Sequence, residues 1–259
     1  MPANKEKLSS LSVFFPVYNE EANLPTLIGG ASEFIPHVAH KYELIIVNDG
    51  SCDGSLRVAR KLQARYPHLR VISHDKNRGY GAALRSGINA AKYDWTFFTD
   101  SDLQFDIKQL ATFIPHTKKH QIIIGYRVNR AEGALRSVNA RLFKLYVDLL
   151  FRLHVRDIDC AFKLMKTKVI QKVELESSGA FTTSELLYKL KKLGLRFQQL
   201  PVDHYKRKFG QPTGASPKVI IKAVWDAFFL YVRIKLKSLF FGQARTESFR
   251  TERTSAKRS

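Results

Sequence analysis

Short apolar runs alternate with amphipathic stretches along the first half of the chain. Leu11-Ser12-Val13-Phe14-Phe15 reads as a buried strand stopped by Pro16, and 20–34 as a loop and helix with Pro25 in a first turn. Residues 43–47 form a second strand, ended by Asn48-Asp49-Gly50-Ser51. Leu56, Ala59 and Leu62 share one face of a helix over 55–66. A short strand at 69–72, a small-residue helix at 79–91 and a strand at 95–99 follow, then a helix at 107–113 and a strand at 121–125. Leu135, Val138, Leu142, Leu145 and Leu149 recur at three- and four-residue intervals and predict a helix over 130–151, expected to sit beside a ligand cleft. Strands apolar on both faces, separated by helices, predict a mostly parallel α/β sheet with helices on both faces, complete near residue 200.

The pattern changes after the sheet. Residues 219–241 are rich in aromatic and branched apolar side chains, interrupted by Lys222, Asp226, Arg233, Lys235 and Lys237. Trp225, Phe228, Phe229 and Val232 share one helical side. This amphipathic extension either lies in the headgroup layer of an anionic membrane or packs back on the core. The last stretch, 243–259, is basic, poor in apolar residues and expected to be disordered. The expected organisation is a main α/β domain at 8–215, a helical extension at 216–242 and a tail at 243–259.

Charge narrows the partners. Lys and Arg total 43 against 23 Asp and Glu, a net +20, which favours phosphates or an anionic surface. Nucleic acid is disfavoured, because the aromatics lie in apolar runs without a stacking platform and the basic residues are dispersed. Two cysteines, Cys52 and Cys160, make no disulfide framework. Neither a secretory signal nor an ordinary transmembrane span is expected.

Against this basic background, Asp100-Ser101-Asp102 follows a strand directly. Two carboxylates at i and i+2 at a strand mouth suit Mg²⁺ or Mn²⁺ shared with a diphosphate; otherwise they are solvated turn aspartates. Asn19, Asp49 and Asp100 all follow strand ends, where α/β sheets gather ligands. Asn77-Arg78-Gly79-Tyr80-Gly81 has a Gly-x-Gly, read as a tight loop and close helix approach rather than a phosphate cradle. P-loop, zinc-peptidase and serine-hydrolase motifs are absent.

Taken in order, Phe15-Pro16-Val17-Tyr18-Asn19-Glu20-Glu21, Val47-Asn48-Asp49-Gly50-Ser51, Asn77-Arg78-Gly79-Tyr80-Gly81 and Asp100-Ser101-Asp102-Leu103-Gln104 resemble the inverting family 2 glycosyltransferases of GT-A fold. Gly125-Tyr126-Arg127, Arg136, Asn139, the run from Asp157 to Lys163 and Val202-Asp203-His204-Tyr205-Lys206-Arg207 resemble the branch acting on dolichyl and bacterial polyprenyl phosphates. Ala161 stands where that branch often has Gly, and Gln211-Pro212-Thr213-Gly214 looks like the bacterial variant. The Gln-x-x-Arg-Trp motif of processive polymer synthases is missing.

The resemblance implies transfer of one hexose from a nucleotide diphospho-sugar to a polyprenyl phosphate at the cytoplasmic face of a membrane. Pro16, Tyr18, Glu20 and Asp49 would line the nucleotide, and Asp100 and Asp102 would hold the metal. Arg127 and Arg136 would face phosphates, and His204 and Arg207 would close over the site. Asp159 either holds a loop near the acceptor or fixes a turn. A UDP-hexose is favoured narrowly over GDP-mannose. Transfer to a glycan or protein hydroxyl is the alternative and would call for a base.

Overall fold

The computed structural model describes residues 6–128, 134–210 and 219–236, without the side chains of 134–138. Seven strands form one sheet: β1 (Leu8–Val17), β2 (Ala39–Asn48), β3 (Leu69–Ser73), β4 (Trp95–Phe98), β5 (Ile122–Val128), β6 (Lys163–Lys166) and β7 (Phe197–Asp203). Their order is β3-β2-β1-β4-β6-β5-β7. Only β6 opposes its neighbours; it pairs antiparallel with both β4 and β5, while β1–β2, β1–β4, β2–β3 and β5–β7 are parallel. The mostly parallel sheet is therefore as expected, with one reversed strand that the sequence pattern did not reveal.

This topology decides where chemistry can sit. The carboxyl ends of β1, β2, β4, β5 and β7 all point to one edge, and reversed β6 begins there. Residues 18–20, 49–51, 99–104, 126–128, 157–163 and 203–207 therefore meet at that edge.

Both faces of the sheet are covered because successive side chains alternate. Leu11, Val13 and Phe15 face α1 (Leu24–Phe34) and α2 (Ser55–Arg65), packing with Leu24, Ile28 and Ala59. Phe14, Ile45 and Phe98 face α3 (Tyr80–Ala90), α4 (Ala134–Phe151) and α6 (Thr182–Lys192), with α5 (Thr167–Ile170) near the start of that layer. The helix at 219–236, α7, adds Ala223, Ala227 and Leu230 to the same core. The small-residue helix α3 lies close against the sheet: a Cβ on Gly87 would come within 2.3 Å of the Phe14 ring.

Two sequence expectations are corrected. Pro16 does not stop β1, which runs on to Val17 in register with Asn48. β4 pairs with β1 only as far as Phe14, so at Pro16 that side of the strand is already an edge and needs no N–H donor. The helix at 107–113 is a 3₁₀ segment, Ile107–Thr112, followed by another at Ile114–Lys118. The Asp106 side chain accepts from Lys108 N at its start, and Pro115 removes a donor where an α-helix would continue.

The leucine stripe of α4 is helical, as its periodicity predicts. That helix is present over Ala134–Phe151, and 130–133 lie outside the described residues. Yet Leu142, Leu145 and Leu149 are 60%, 67% and 77% exposed, and Val147 and Phe151 face the core instead. Leu135 and Val138 belong to the side chains not described. The whole tail 243–259 also lies outside the described residues. Among the described residues, no helix is long and apolar enough to cross a membrane.

Candidate active site

The loops after β1 and β2 are laced together. Asn19 sits at φ 57°, its Oδ1 accepts from Cys52 N at 2.8 Å, and its own N–H donates to Ser51 Oγ. Glu20 N–H donates to Ser55 Oγ at 2.8 Å. Pro16 is buried with Tyr18 partly exposed beside it, and the Pro16 carbonyl accepts from Ser101 Oγ at 2.8 Å. This bond ties the acidic triplet to the end of β1.

Asp49 is buried and engaged from three directions. It accepts from Arg78 N and Gly79 N at 2.9 and 2.8 Å, and from His74 Nδ1 at 2.7 Å in the tautomer that donates there. His74 Nε2 lies 2.8 Å from Ser86 Oγ. Asp49 thus anchors the loop leading into α3. Gly79, at φ 91°, passes so close to Ser178 that a Cβ would meet its carbonyl oxygen at 2.4 Å. The glycines serve close approach, as their spacing suggested. They bring Tyr80 to the triplet, where its hydroxyl donates to Asp100 Oδ1 at 3.2 Å.

The triplet is a compact, under-compensated acidic site. Leu103 adopts φ 61°, uncommon for a branched apolar residue, and turns the chain so that Gln104 N donates to Asp102 Oδ1 at 3.1 Å. Burial and then the Asp102 carboxylate push the Asp100 carboxyl up; the Tyr80 hydroxyl, Arg127 and Lys163 only partly oppose them. Among the described residues no group of three or more Asp, Glu, His or Cys side chains could hold a metal alone. Two hard carboxylates that resist being ionised together still fit a divalent cation completed by phosphate oxygens and water.

Arg207 reaches this site from beyond β7. Its Nη2 donates to Glu20 Oε1 at 2.6 Å and to Asp102 Oδ2 at 3.2 Å. Asn23 Nδ2 donates to the other Glu20 oxygen at 2.5 Å. Burial nonetheless raises the Glu20 carboxyl, against the Asn23 and Arg207 bonds. The supporting segment is stitched to the loop after the triplet: Tyr205 N donates to Gln104 O at 2.8 Å, and Gln104 Nε2 to Tyr205 O at 3.0 Å. His204 is buried edge-on against Phe105, with ring centroids 5.1 Å apart.

A second cluster lies at the end of β5. Arg127 is a bidentate partner of Asp157, with Nε–Oδ2 2.8 Å and Nη2–Oδ1 3.0 Å, and both side chains are nearly buried. Burial works against the guanidinium charge, and the Asp157 carboxylate more than offsets it. Asp159 follows in the same turn, its N–H donating to Asp157 Oδ1 at 3.3 Å. These residues line a cavity of about 370 Å³ with Tyr126, Arg141, Lys144 and Arg156. The Arg156 guanidinium sits 4.6 Å from the Tyr126 ring centroid. Lys163, at the start of β6, is fully buried and donates to the Cys160 carbonyl.

The expected site residues therefore fall into connected groups. Glu20, Asp102 and Arg207 touch; Asp100 joins them through its neighbour Asp102; Arg127 and Asp159 share the cavity. Arg136 lies on α4, with its side chain outside the described residues. Sequence reasoning missed His74, Arg141, Lys144 and Arg156. The cations of the cavity had one signal available: Arg141 and Lys144 are three apart on a predicted helix.

Against known proteins, the family model described as "Glycosyl transferase family 2" matches residues 12–174. A dodecaprenyl-phosphate galacturonate synthase of Rhizobium johnstonii is 29% identical over 64% of this chain and 50% of its own. An undecaprenyl-phosphate 4-deoxy-4-formamido-L-arabinose transferase of Yersinia enterocolitica is 25% identical over 84% of this chain and 66% of its own. The chain spans from half to two thirds of the length of these relatives. Among solved structures, glucosyl-3-phosphoglycerate synthase from Mycobacterium tuberculosis, in complex with Mn²⁺, UDP and glucosyl-3-phosphoglycerate, is similar at TM-score 0.66 and 19% identity over 86% of this chain and 80% of that one. S. aureus TarS 1-349, in complex with UDP-GlcNAc, is similar at TM-score 0.58 and 18% identity over 80% and 61%. These likenesses establish the GT-A fold.

Proposed function

The chain belongs to glycosyl transferase family 2, and on that premise we propose that it transfers a single sugar from a nucleotide diphospho-sugar to a polyprenyl phosphate, inverting the anomeric carbon. The observation that carries this reading is the cationic cavity. Arg127, Arg141, Lys144 and Arg156 line it, at the sheet edge where Asp100 and Asp102 emerge. The helix that supplies Arg141 and Lys144 also exposes Leu142, Leu145 and Leu149. A phosphate bound in the cavity could lay its isoprenoid chain along that row. The polyprenyl-phosphate relatives support the same acceptor class.

The acceptor phosphate oxygen attacks the anomeric carbon as the bond to the nucleoside diphosphate oxygen breaks. A phosphate monoester has a second pKa of about 6, so this oxygen needs no protein base near neutral pH. Asp100 and Asp102 would hold Mg²⁺ or Mn²⁺, which when bound offsets charge on the leaving diphosphate. The chain's own contribution is alignment and preorganised charge. Asp157 holds the Arg127 fork rigid before any substrate arrives. Pro16, Tyr18, Glu20 and Asp49 would line base and ribose, while Arg136, Asp159, His204 and Arg207 would serve the phosphates and acceptor. A uridine-linked hexose is favoured over GDP-mannose.

The protein is proposed to act peripherally, at the cytoplasmic face of a membrane. α4 and α7 lie side by side, with Tyr146 donating to the Val224 carbonyl at 3.3 Å. Their outer faces expose the three leucines of α4 together with Trp225, Phe228 and Phe229 of α7. Exposed Lys222, Arg233 and Lys235 flank them and suit anionic lipid.

The test pairs UDP-glucose, UDP-galactose, UDP-N-acetylglucosamine, UDP-galacturonate and GDP-mannose each with a short polyprenyl phosphate and Mn²⁺, then with chelator. Organic-phase product from one donor, lost on chelation, is expected. No lipid-linked product from any donor, with product on a water-soluble glycan instead, would overturn the acceptor.

A further inference from the structure

We propose that Arg207 is a positioning residue that occupies the cation's place at Asp102 until a nucleotide diphosphate arrives, so that metal and nucleotide load as a coupled pair. The inference rests on the metal-site reading above.

Glu20 and Asp102 are two buried carboxylates carried by different loops, the first after β1 and the second after β4. Two carboxylates brought together on adjoining loops favour a cation between them. One nitrogen of Arg207 fills that place, at 2.6 Å from Glu20 and 3.2 Å from Asp102. The remaining Asp102 oxygen already accepts from Gln104 N. A divalent cation approaching Asp102 therefore competes with a charge-assisted hydrogen bond.

The contact is built by the fold rather than by a chance rotamer. Two hydrogen bonds between Gln104 and Tyr205 fix the segment bearing Arg207 to the loop bearing Asp102. Gln109 Oε1 accepts from Asp203 N at 2.8 Å, and His204 packs on Phe105. Beyond the arginine the chain turns at Gly210, φ 79°, where a Cβ would lie 3.0 Å from Arg207 Nη1. Glycine lets the backbone fold beside the guanidinium.

A diphosphate changes the balance. It gives Arg207 another anionic partner with matching fork geometry, and it gives the metal oxygen ligands that two carboxylates cannot supply. Nucleotide should then strengthen metal binding, and by linkage metal should strengthen nucleotide binding by the same factor.

Mn²⁺ binding, followed by electron paramagnetic resonance of the free ion, tests this with and without UDP and GDP. In Arg207→Met, Mn²⁺ alone is expected to bind on the order of tenfold tighter than in the unaltered protein, and the gain from nucleotide should shrink. Arg207→Gln, which keeps a hydrogen bond to Glu20, should move the same way and serves if the methionine variant melts early. Unchanged or weaker Mn²⁺ binding without nucleotide, in whichever variant folds, would overturn the proposal. Asp102→Asn separates the two readings. If it binds Mn²⁺ as the unaltered protein does, the metal assignment fails and the gate with it. If it loses Mn²⁺ while the Arg207 variants gain nothing, the gate alone fails.

Discussion

A methyl group added at Gly81 would meet Thr182 Oγ1 at 2.1 Å and the Ser177 carbonyl oxygen at 2.5 Å. Alanine in a helix gains about 1 kcal/mol over glycine, whereas overpacking costs about 1–3 kcal/mol. Here the steric term wins, because two of the three nearest atoms are backbone and cannot swing away. Gly81→Ala should therefore destabilise the fold by about 1–2 kcal/mol in urea denaturation. Asp157→Ala should cost more, about 3–5 kcal/mol, by removing the carboxylate from a nearly buried Arg127. Thiol labelling separates the two cysteines. Burial pushes the Cys160 thiol up to about 12, so at pH 8 it stays protonated and shielded, while exposed Cys52 reacts. Modification of both thiols in the native protein would contradict the packing described. At this scale the contiguous motifs were legible: Asp49, Asp100 and Asp102 each carry their context in adjacent residues. The pairs that finish the site were not, because Arg207 meets Glu20 across 187 positions and His74 meets Asp49 across 25. Such partners are set by strand order, which no local spacing encodes.

Elements were legible where burial is two-sided. β1, β2, β4 and β5 are apolar on both faces and were visible as runs. β6 was not, because its four residues begin and end in lysine, and one of those lysines is driven into the core. The leucine row of α4 was read correctly as helical, but periodicity cannot say which apolar face the core takes when a helix has two. Val147 and Phe151 won that place and left the leucines outside. The same division occurs on α7, where small Ala223 and Ala227 face inward and Trp225 and Phe229 face outward. Two glutamates, at Trp225 and Phe229, should abolish co-sedimentation with anionic vesicles. They should leave stability within about 0.5 kcal/mol, since both side chains are exposed. A matching loss from Leu145→Glu would extend the surface to α4; unchanged vesicle binding in all three would remove the membrane role of these faces.

The whole molecule joins a sheet whose carboxyl edge concentrates acid with a chain carrying +20 overall. Charge alone suggested anionic partners without choosing among them. The proposed choice rests on topology, which sets the acidic triplet, the Arg207 bridge and the cationic cavity along one edge, with exposed apolar helices beside the cavity. Most of this fold was readable from alternation of buried strands and helices; the cavity was not, since it is assembled from β5, α4 and the 156–159 turn. The central claim is transfer to a lipid phosphate, and its most direct measurement is competition in one vessel. The purified chain, Mn²⁺ and the donor selected by the panel are given equal amounts of a short polyprenyl phosphate and a water-soluble glycan, and sugar label is followed into each phase. The account predicts label in the organic phase, dependent on Mn²⁺ and abolished by Asp102→Asn with little change in melting temperature. Label confined to the glycan, or lipid product made at full rate by Asp102→Asn, would contradict it.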